Sequence, residues 1–225
     1  MSPDPPEPEK PAPVVRRYEP RDRAAVRTIC CDTADCGGPV EHFFPDREVF
    51  ADLLVRYYTD YEPASSWVVE GRRQIAGYLT GCTDTRRFGR TMVRRILPQL
   101  LAKVLIRGTL LRGPARRFIA LNGVLWLRRG ATNPADTARY PAHFHVNLEP
   151  AFRAHHAGTA LVDSFLTYLR SEHVPGVHVN VREDNARGRA FFGRIGFTAV
   201  SRHPTMRMSA RPDEVLHSIR YGMRL

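Results

Sequence analysis

The sequence predicts a mixed α/β fold with a sizeable hydrophobic core and a helical insertion. Of its 225 residues, 43% are hydrophobic, and they include eleven Phe and eight Tyr, enough to build such a core. Apolar residues alternate in some segments and recur at helical spacing in others. With residues 85–139 set aside, the segments run β-α-α-β-β-β-α-β-α-β-β, an order typical of an α/β domain.

The amino-terminal half predicts a strand, two helices and a hairpin. Pro45 followed by an acidic residue marks the start of the second helix, and a glycine-containing turn joins the two apolar runs of the hairpin. The predicted elements are a strand over 14–20, helices over about 21–33 and 46–61, and hairpin strands near 66–70 and 74–82. Before them, residues 1–13 are rich in proline and predict a disordered tail.

The carboxyl-terminal half predicts alternating strands and helices that complete a single domain over 14–225. Its strands show period-2 alternation, and its helices show an apolar stripe. The predicted elements are a strand over 143–149, a helix from Gly158, a strand over 176–181, a short helix ended by Gly196, and two final strands within "TAVSRH" and "IRYGMRL".

The segment between these halves carries the positive charge of the chain. Residues 85–135 hold twelve Lys or Arg and no Asp or Glu, whereas the whole chain has a net charge of +11. The remaining residues therefore sum to −1. Apolar residues at helical spacing from Met92 to Leu105 predict a helix with a buried stripe. We therefore expect a basic helical insertion over 85–139.

The stretch "AFRAHHAGTALV" (151–162) joins a predicted strand to a predicted helix. A helix start offers unpaired N–H groups and a partial positive charge, which suit a phosphate. Arg153 adds a cation, and Gly158 permits close backbone approach. Two histidines nevertheless stand where phosphate loops usually carry glycine. From these residues alone, three interpretations of the loop stay open: a working anion site, a degenerate anion site, or an ordinary strand–helix turn.

Residues 140–203 resemble the GNAT acetyltransferase superfamily. Its coenzyme A loop follows the pattern Arg/Gln-x-x-Gly-x-Gly/Ala, and its later helix reads Asn-x-x-Ala-x-x-Phe-Tyr-x-x-x-Gly-Phe. Arg153 matches the first loop position and Gly158 the last, while His156 replaces the first glycine. The segment "NARGRAFFGRIGF" matches the later helix, with Phe192 at the position usually held by Tyr.

A narrower resemblance covers more of the chain. The segments "FPDREVFADLLVRYYTDYEP", "GYLTGCTDT" and "YPAHFHVNLEP" are similar to a branch that includes the acetyltransferase-like domain of O-GlcNAcase and its free-standing bacterial relatives. That branch carries a long insertion between its third and fourth strands, where residues 85–139 lie here.

The superfamily resemblance implies a mixed, mostly antiparallel, twisted sheet whose central strands splay apart, flanked by helices. It implies transfer of an acetyl group from acetyl-CoA, with no metal, to the amine of a small molecule or peptide. A non-catalytic acetyl-CoA-binding module is the alternative. The residues that it assigns to the coenzyme are Val146, Asn147, Leu148, Arg153, Ala154, His155, His156, Ala157, Gly158, Thr159, Asn185, Gly188 and Phe192.

Two residues are candidates for the base that such a transfer needs. Alternation places His143, His145 and Asn147 on one strand face, and we take His145 as the first candidate because a histidine titrates near neutrality. Asp84 is the second; its alternative role is a turn cap. Phe192 has no hydroxyl, so the usual acid for the leaving thiolate is missing. At His156 we expect an ordinary φ angle.

The remaining sequence features bear on metal binding, on the role of the insertion and on the cellular compartment. Cys31, Cys36 and His42 lack a fourth ligand and a C-x-x-C pair, so we expect no zinc site. The insertion is interpreted as a lid over the acceptor site, a homodimer contact, or a surface for nucleic acid or anionic lipid. No motif supports the last of these. With no secretion signal in the sequence, we expect a cytoplasmic protein with reduced thiols.

Overall fold

The computed structural model describes residues 14–71, 74–128, 134–152, 156–205 and 216–225. Its strands form one sheet in the order β1-β2-β3-β4-β5-β7-β6. They are β1 Val14–Arg17, β2 Ser66–Gly71, β3 Gln74–Cys82, β4 Ala142–Leu148, β5 Gly176–Arg182, β6 Thr198–Pro204 and β7 His217–Arg224. All neighbours pair antiparallel except β4 and β5. The predicted mixed, mostly antiparallel sheet is confirmed.

The parallel pair β4–β5 separates almost as soon as it forms. Only Ala142 with Val177 and His143 with His178 are in register. On its other side, β4 stays paired with β3 from His143 as far as Leu148. Past His143, the two central strands therefore diverge and leave a cleft between them, as predicted.

Helices cover both faces of the sheet. They are α1 Arg23–Asp32, α2 Arg47–Leu54, α3 Arg56–Tyr61, α4 Thr85–Thr91, α5 Leu97–Ile106, α6 Gly113–Arg128, α7 Pro134–Arg139, α8 Ala157–Ser171 and α9 Ala186–Arg194, with a π-helical turn over Met92–Ile96 between α4 and α5. On one face, Leu161 and Phe165 of α8 share a core with Phe144. On the other, Val26 of α1 shares a core with Tyr78.

The single helix predicted over 46–61 is wrong, because α2 and α3 are separate helices. Val55 lies between them with φ −120° and ψ −16°. It is a β-branched residue, which disfavours helix. Its side chain is buried, as are those of Tyr57 and Tyr58 in the following turn. Burial of these three side chains outweighs continuity of the helix.

Within the basic insertion, α4 to α7, helices α5 and α6 pack in the core around α2. Leu100 and Val104 of α5 and Phe118 of α6 enter the same core as Phe50. The ring centroid of Phe118 lies 4.9 Å from that of Phe44. Within the described ranges, no helix combines the length and apolarity needed to cross a bilayer.

Asp46 anchors the insertion to the start of α2. Its carboxylate accepts hydrogen bonds from Thr109 Oγ1 (2.6 Å), Arg107 Nε (3.0 Å) and the backbone N–H of Val49 (3.3 Å). Burial opposes ionisation of this carboxyl, but the hydrogen bonds outweigh burial and lower its pKa. The charged form is therefore the one that holds the insertion in place.

We expect Asp46→Asn to lower the free energy of unfolding by about 2 kcal/mol at pH 7, because a buried partner of a charged group is lost. A lowered native pKa stabilises the fold above about pH 4 and loses that contribution as pH falls through the native pKa. Urea denaturation at several pH values measures both effects. Glu41→Gln is the control, since Glu41 forms an exposed ion pair with Arg47 and should change stability little. Equal losses in both variants would contradict an anchoring role.

Candidate functional site

The edge of β4 that faces the cleft offers backbone groups to a ligand. The N–H of Glu149 donates to Ala76 O at 2.9 Å, so alternate residues of β4, including Asn147, direct their backbone groups to β3. Val146 lies between them and directs its N–H and C=O toward β5, which has already diverged. This geometry fits the extended, amide-containing arm of coenzyme A, which the superfamily resemblance predicts near 146–148.

The start of α8 lies at the mouth of this cleft. A Cβ added at Gly158 would come within 3.2 Å of Leu148 Cδ1 and 3.5 Å of Phe191 Cζ. Gly158 therefore keeps space open where β4, α8 and α9 converge, and the first N–H groups of α8 lie beside that space. A phosphate group fits such a helix start. The predicted loop residues Arg153, Ala154 and His155 lie outside the described residues.

The ordinary φ angle expected at His156 is wrong, because His156 has φ 53° and ψ 5°. This is the left-handed region, which glycine adopts at no steric cost and other residues only with strain. The superfamily pattern carries glycine at this position, and the backbone of this chain retains the conformation that glycine favours. The N-cap of α8 therefore has a glycine-like backbone conformation, although the residue at that position is a strained histidine.

Asn185 and Gly188 form the start of α9. Asn185 Oδ1 accepts the backbone N–H of Gly188 at 2.9 Å, which is an N-cap interaction. A Cβ at Gly188 would lie 3.0 Å from Val181 Cγ1. The spacing of the Asn and the small residue is therefore explained by the helix cap, and coenzyme contacts by this pair stay a prediction.

Phe192 is buried in an aromatic cluster. Its ring centroid lies 5.9 Å from that of Phe144 and 5.5 Å from that of Phe197. The ring of Tyr221 on β7 lies 6.4 Å away. Phe192 thus packs against the side of β4 that α8 covers and brings no hydroxyl to the cleft.

His143 is held by hydrogen bonds at both ring nitrogens. Tyr58 Oη lies 2.7 Å from Nε2, and Thr85 Oγ1 lies 2.8 Å from Nδ1. Thr85 Oγ1 also donates to Pro141 O, so it accepts from Nδ1–H, and Nε2 accepts from Tyr58. Burial, with His178 and His145 nearby, holds the pKa of His143 well below its usual value. His143 is a neutral structural residue.

His145, two positions along the same face, differs from His143. Its side chain is exposed in the cleft, and it has no hydrogen-bond partner among the described residues. Desolvation lowers the pKa of His145 to about 4, so its imidazole is neutral at pH 7. It can accept a proton.

Thr80 lies directly across from His145 in the β3–β4 ladder. Paired residues present their side chains on the same face of a sheet. The Thr80 hydroxyl is buried, and within the described part of the chain it has no hydrogen-bond partner. His145 and Thr80 thus bring two unused polar groups to one place.

Two other predicted residues have structural contacts. Asp84 is the N-cap of α4, where its Oδ1 accepts the N–H groups of Arg86 (2.7 Å) and Arg87 (3.2 Å). This is the capping role that the sequence left open. Asn147 Nδ2 donates to Tyr78 Oη at 2.8 Å, on the α1 side of the sheet.

The sequence analysis missed Tyr58, Tyr78 and Thr80. Tyr58 lies 85 positions before His143 in the chain, so no local pattern could join the two. The cysteine and histidine candidates for zinc gain no support, since no group of three or more potential metal ligands occurs in the described stretches.

No family model matches the chain, but solved structures do. SsHAT is 29% identical with a TM-score of 0.72, and the match covers 95% of this chain and 98% of that one. A putative GNAT-family acetyltransferase from Desulfovibrio desulfuricans is 15% identical, with a TM-score of 0.55 and coverage of 95% and 99%. The putative acetyltransferase yncA from Salmonella typhimurium, solved with its cofactor acetyl-CoA, is 12% identical, with a TM-score of 0.57 and coverage of 95% and 94%.

The diverging central strands and these neighbours define the class of protein. The chain has the fold of GNAT-family acetyltransferases, as its sequence predicted. The narrower kinship with the O-GlcNAcase branch stays a prediction.

The strained cap gives a test of the loop geometry. We expect His156→Val to lower the free energy of unfolding by about 1 to 2 kcal/mol, because a β-branched residue is poorly accommodated at positive φ. His156→Gly should stay within about 0.5 kcal/mol of the parent, since relief of strain offsets the extra freedom of the unfolded chain. Urea denaturation measures both changes. A larger loss for glycine than for valine would show that the histidine side chain, not the backbone, matters here.

Proposed function

We propose that this protein is an N-acetyltransferase that moves an acetyl group from acetyl-CoA directly to the amine of a small molecule or peptide. The observation that carries the proposal is the contrast between the two histidines of β4. His143 is fully bonded and buried, whereas His145 is neutral, exposed in the cleft and unbonded among the described residues. A group in that state suits proton transfer.

The coenzyme side of the proposal uses the backbone of β4 and the start of α8. Val146 would pair with the pantetheine amides, and residues 153–159 would hold the pyrophosphate. Acetyl-CoA, the cofactor of the GNAT-fold neighbour yncA, supplies the acetyl group as a thioester when bound. Gly158 leaves the room that the phosphates require.

The acceptor side of the proposal uses the opposite face of β4. His145 accepts the proton of the acceptor ammonium, directly or through a water, so that the amine nitrogen becomes a nucleophile. The cleft would hold that nitrogen against the thioester carbon, and positioning contributes much of the rate. As the C–N bond forms, the C–S bond breaks, and the released thiolate would take its proton from water, since Phe192 has no hydroxyl. Asp84 is the less suitable base because its carboxylate caps α4.

The alternative function is a non-catalytic acetyl-CoA-binding module. Phe192 favours it, because the ring is buried in an apolar cluster and cannot protonate a leaving thiolate. The two functions separate in one assay. An enzyme consumes the thioester of acetyl-CoA in the presence of a broad amine panel. A non-catalytic module binds acetyl-CoA, which raises the melting temperature of the protein, but the thioester is not consumed. No shift in melting temperature would reject both.

We expect Gly158→Val to raise the dissociation constant for acetyl-CoA by more than about tenfold, because its side chain fills the space beside Leu148 and Phe191. Isothermal titration calorimetry measures this constant. Gly193→Val is the control, since Gly193 is also a helical glycine and a Cβ there meets nothing within 4 Å. A similar dissociation constant in both variants would place the coenzyme elsewhere.

We expect His145→Ala to lower kcat/KM by about 10² to 10⁴, the range for a lost general base, while the acetyl-CoA dissociation constant stays unchanged. Because the pKa of His145 is lowered, the histidine is already deprotonated above pH 6. The acid limb of the parent pH–rate profile should therefore fall below the ordinary histidine value of about 6.5. A profile that His145→Ala leaves unchanged would make this histidine structural.

A further inference from the structure

Apart from the cleft between β4 and β5, a cavity of about 460 Å³ lies between α3 and the beginning of the insertion. Arginines dominate its lining, and two tyrosines form its inner wall. The lining residues are Tyr57, Tyr61, Arg87, Arg90, Thr91, Arg94 and Arg95. We call this cavity the arginine groove. Its volume is within the range of small-molecule sites.

The arginine groove carries positive charge that nothing in the described part of the chain neutralises. Its four arginines are exposed, and none forms an ion pair or a side-chain hydrogen bond among the described residues. Glu62 lies behind Tyr57, but its carboxylate already accepts from Tyr57 Oη (2.7 Å) and from the N–H and hydroxyl of Thr83 (2.8 Å each). The groove therefore presents unpaired guanidinium groups to solvent.

Another arginine-lined cavity differs from the arginine groove, because its arginines are paired with carboxylates. It lies between α1 and α2, has a volume of about 490 Å³, and is lined by Arg21, Arg23, Arg27 and Arg47 among others. There each guanidinium bonds a carboxylate: Arg21 with Glu19, Arg23 with Asp60, Arg27 with Asp52 and Arg47 with Asp32. The chain thus pairs its arginines in one groove and leaves those of the other unpaired.

The π-helical turn arranges the unpaired arginines. The N–H of Leu97 donates to Met92 O, five residues back, and residues five apart in a π turn lie one above the other. Arg94 and Arg95 lie within the π turn, and Arg90 lies four residues before Arg94, the spacing at which side chains share a helix face. Like charges at such spacing destabilise a helix, and a bound anion would offset that cost.

The arginine groove lies on the side of the sheet away from α8 and α9. Tyr57 contacts Phe88 with ring centroids 4.8 Å apart, and Phe88 contacts His143 at the same distance. The groove is thus two rings from the histidine face of β4. The coenzyme phosphates are expected at the start of α8, on the opposite side. The two anion sites are separate.

We infer that the arginine groove binds a small phosphate-bearing molecule with at least two negative charges. The guanidinium fork matches phosphate oxygens in a bidentate manner, and four such groups can neutralise a ligand of that charge. Tyr57 and Tyr61, stacked with ring centroids 6.1 Å apart, give the groove an aromatic wall against which the rest of the molecule packs. The inference does not require the chain to be an acetyltransferase.

Pyrophosphate is the probe that tests this site. It is titrated calorimetrically into the full chain with and without saturating acetyl-CoA, so that binding at the α8 loop is separated from binding in the groove. We expect Arg90→Gln to weaken the binding that persists with acetyl-CoA by about tenfold, as for a lost hydrogen bond to a charged group. Arg116→Gln should weaken it less than about twofold.

Arg116 is a matched control because it is an exposed arginine of the same insertion outside the groove. Both variants change the net charge equally, and both side chains are exposed, so the fold should persist; the melting temperature checks this. Equal weakening in the two variants would overturn the site in favour of a diffuse basic surface. Citrate binding as tightly as pyrophosphate would overturn the phosphate assignment, as would pyrophosphate binding that vanishes with acetyl-CoA.

Discussion

The early end of the β4–β5 ladder is the constraint on which the rest of the site depends. Two adjacent parallel strands ordinarily satisfy each other's backbone groups, but here the register stops at His143 and His178. The unpaired edge of β4 is tolerable only where a ligand or water can reach it. The same divergence brings the start of α8 to one side of the cleft and exposes His145 on the other. One departure from regular pairing thus creates both the surface proposed for the coenzyme and the surface proposed for the acceptor.

The polar network below the cleft makes this departure stable. Tyr58 and Thr85 bond both nitrogens of His143 at the last paired position, and Tyr78 bonds Asn147 further along. Buried polar groups that are fully bonded fix a unique arrangement of the strands. His145 lies between these two fixed points without a partner of its own in the described residues. Its position is held by its neighbours, while its nitrogen atoms stay available for chemistry.

Much of the fold could be predicted from the sequence because periodicity is a property of neighbouring residues. Alternation over 143–149 gave both faces of β4, and helical spacing gave α8. The break at Val55 could not be predicted, because it depends on where Tyr57 and Tyr58 find their burial. The φ angle of His156 follows from how the loop enters α8, which no residue type determines alone. Within the site, the residue types were predictable, whereas their bonding states depend on contacts between distant segments.

The basic residues of the insertion fall into two groups with different surroundings. Lys103 and Arg107 bond Asp52 and Asp46 and tie α5 to α2, so these charges stabilise the fold. Those of the arginine groove have no acid to bond among the described residues, although the chain provides one for each arginine between α1 and α2. A sequence-wide excess of charge would affect both sets alike. The difference between them argues that the second set is kept for a ligand, since unpaired like charges close together are otherwise a cost to the helix that carries them.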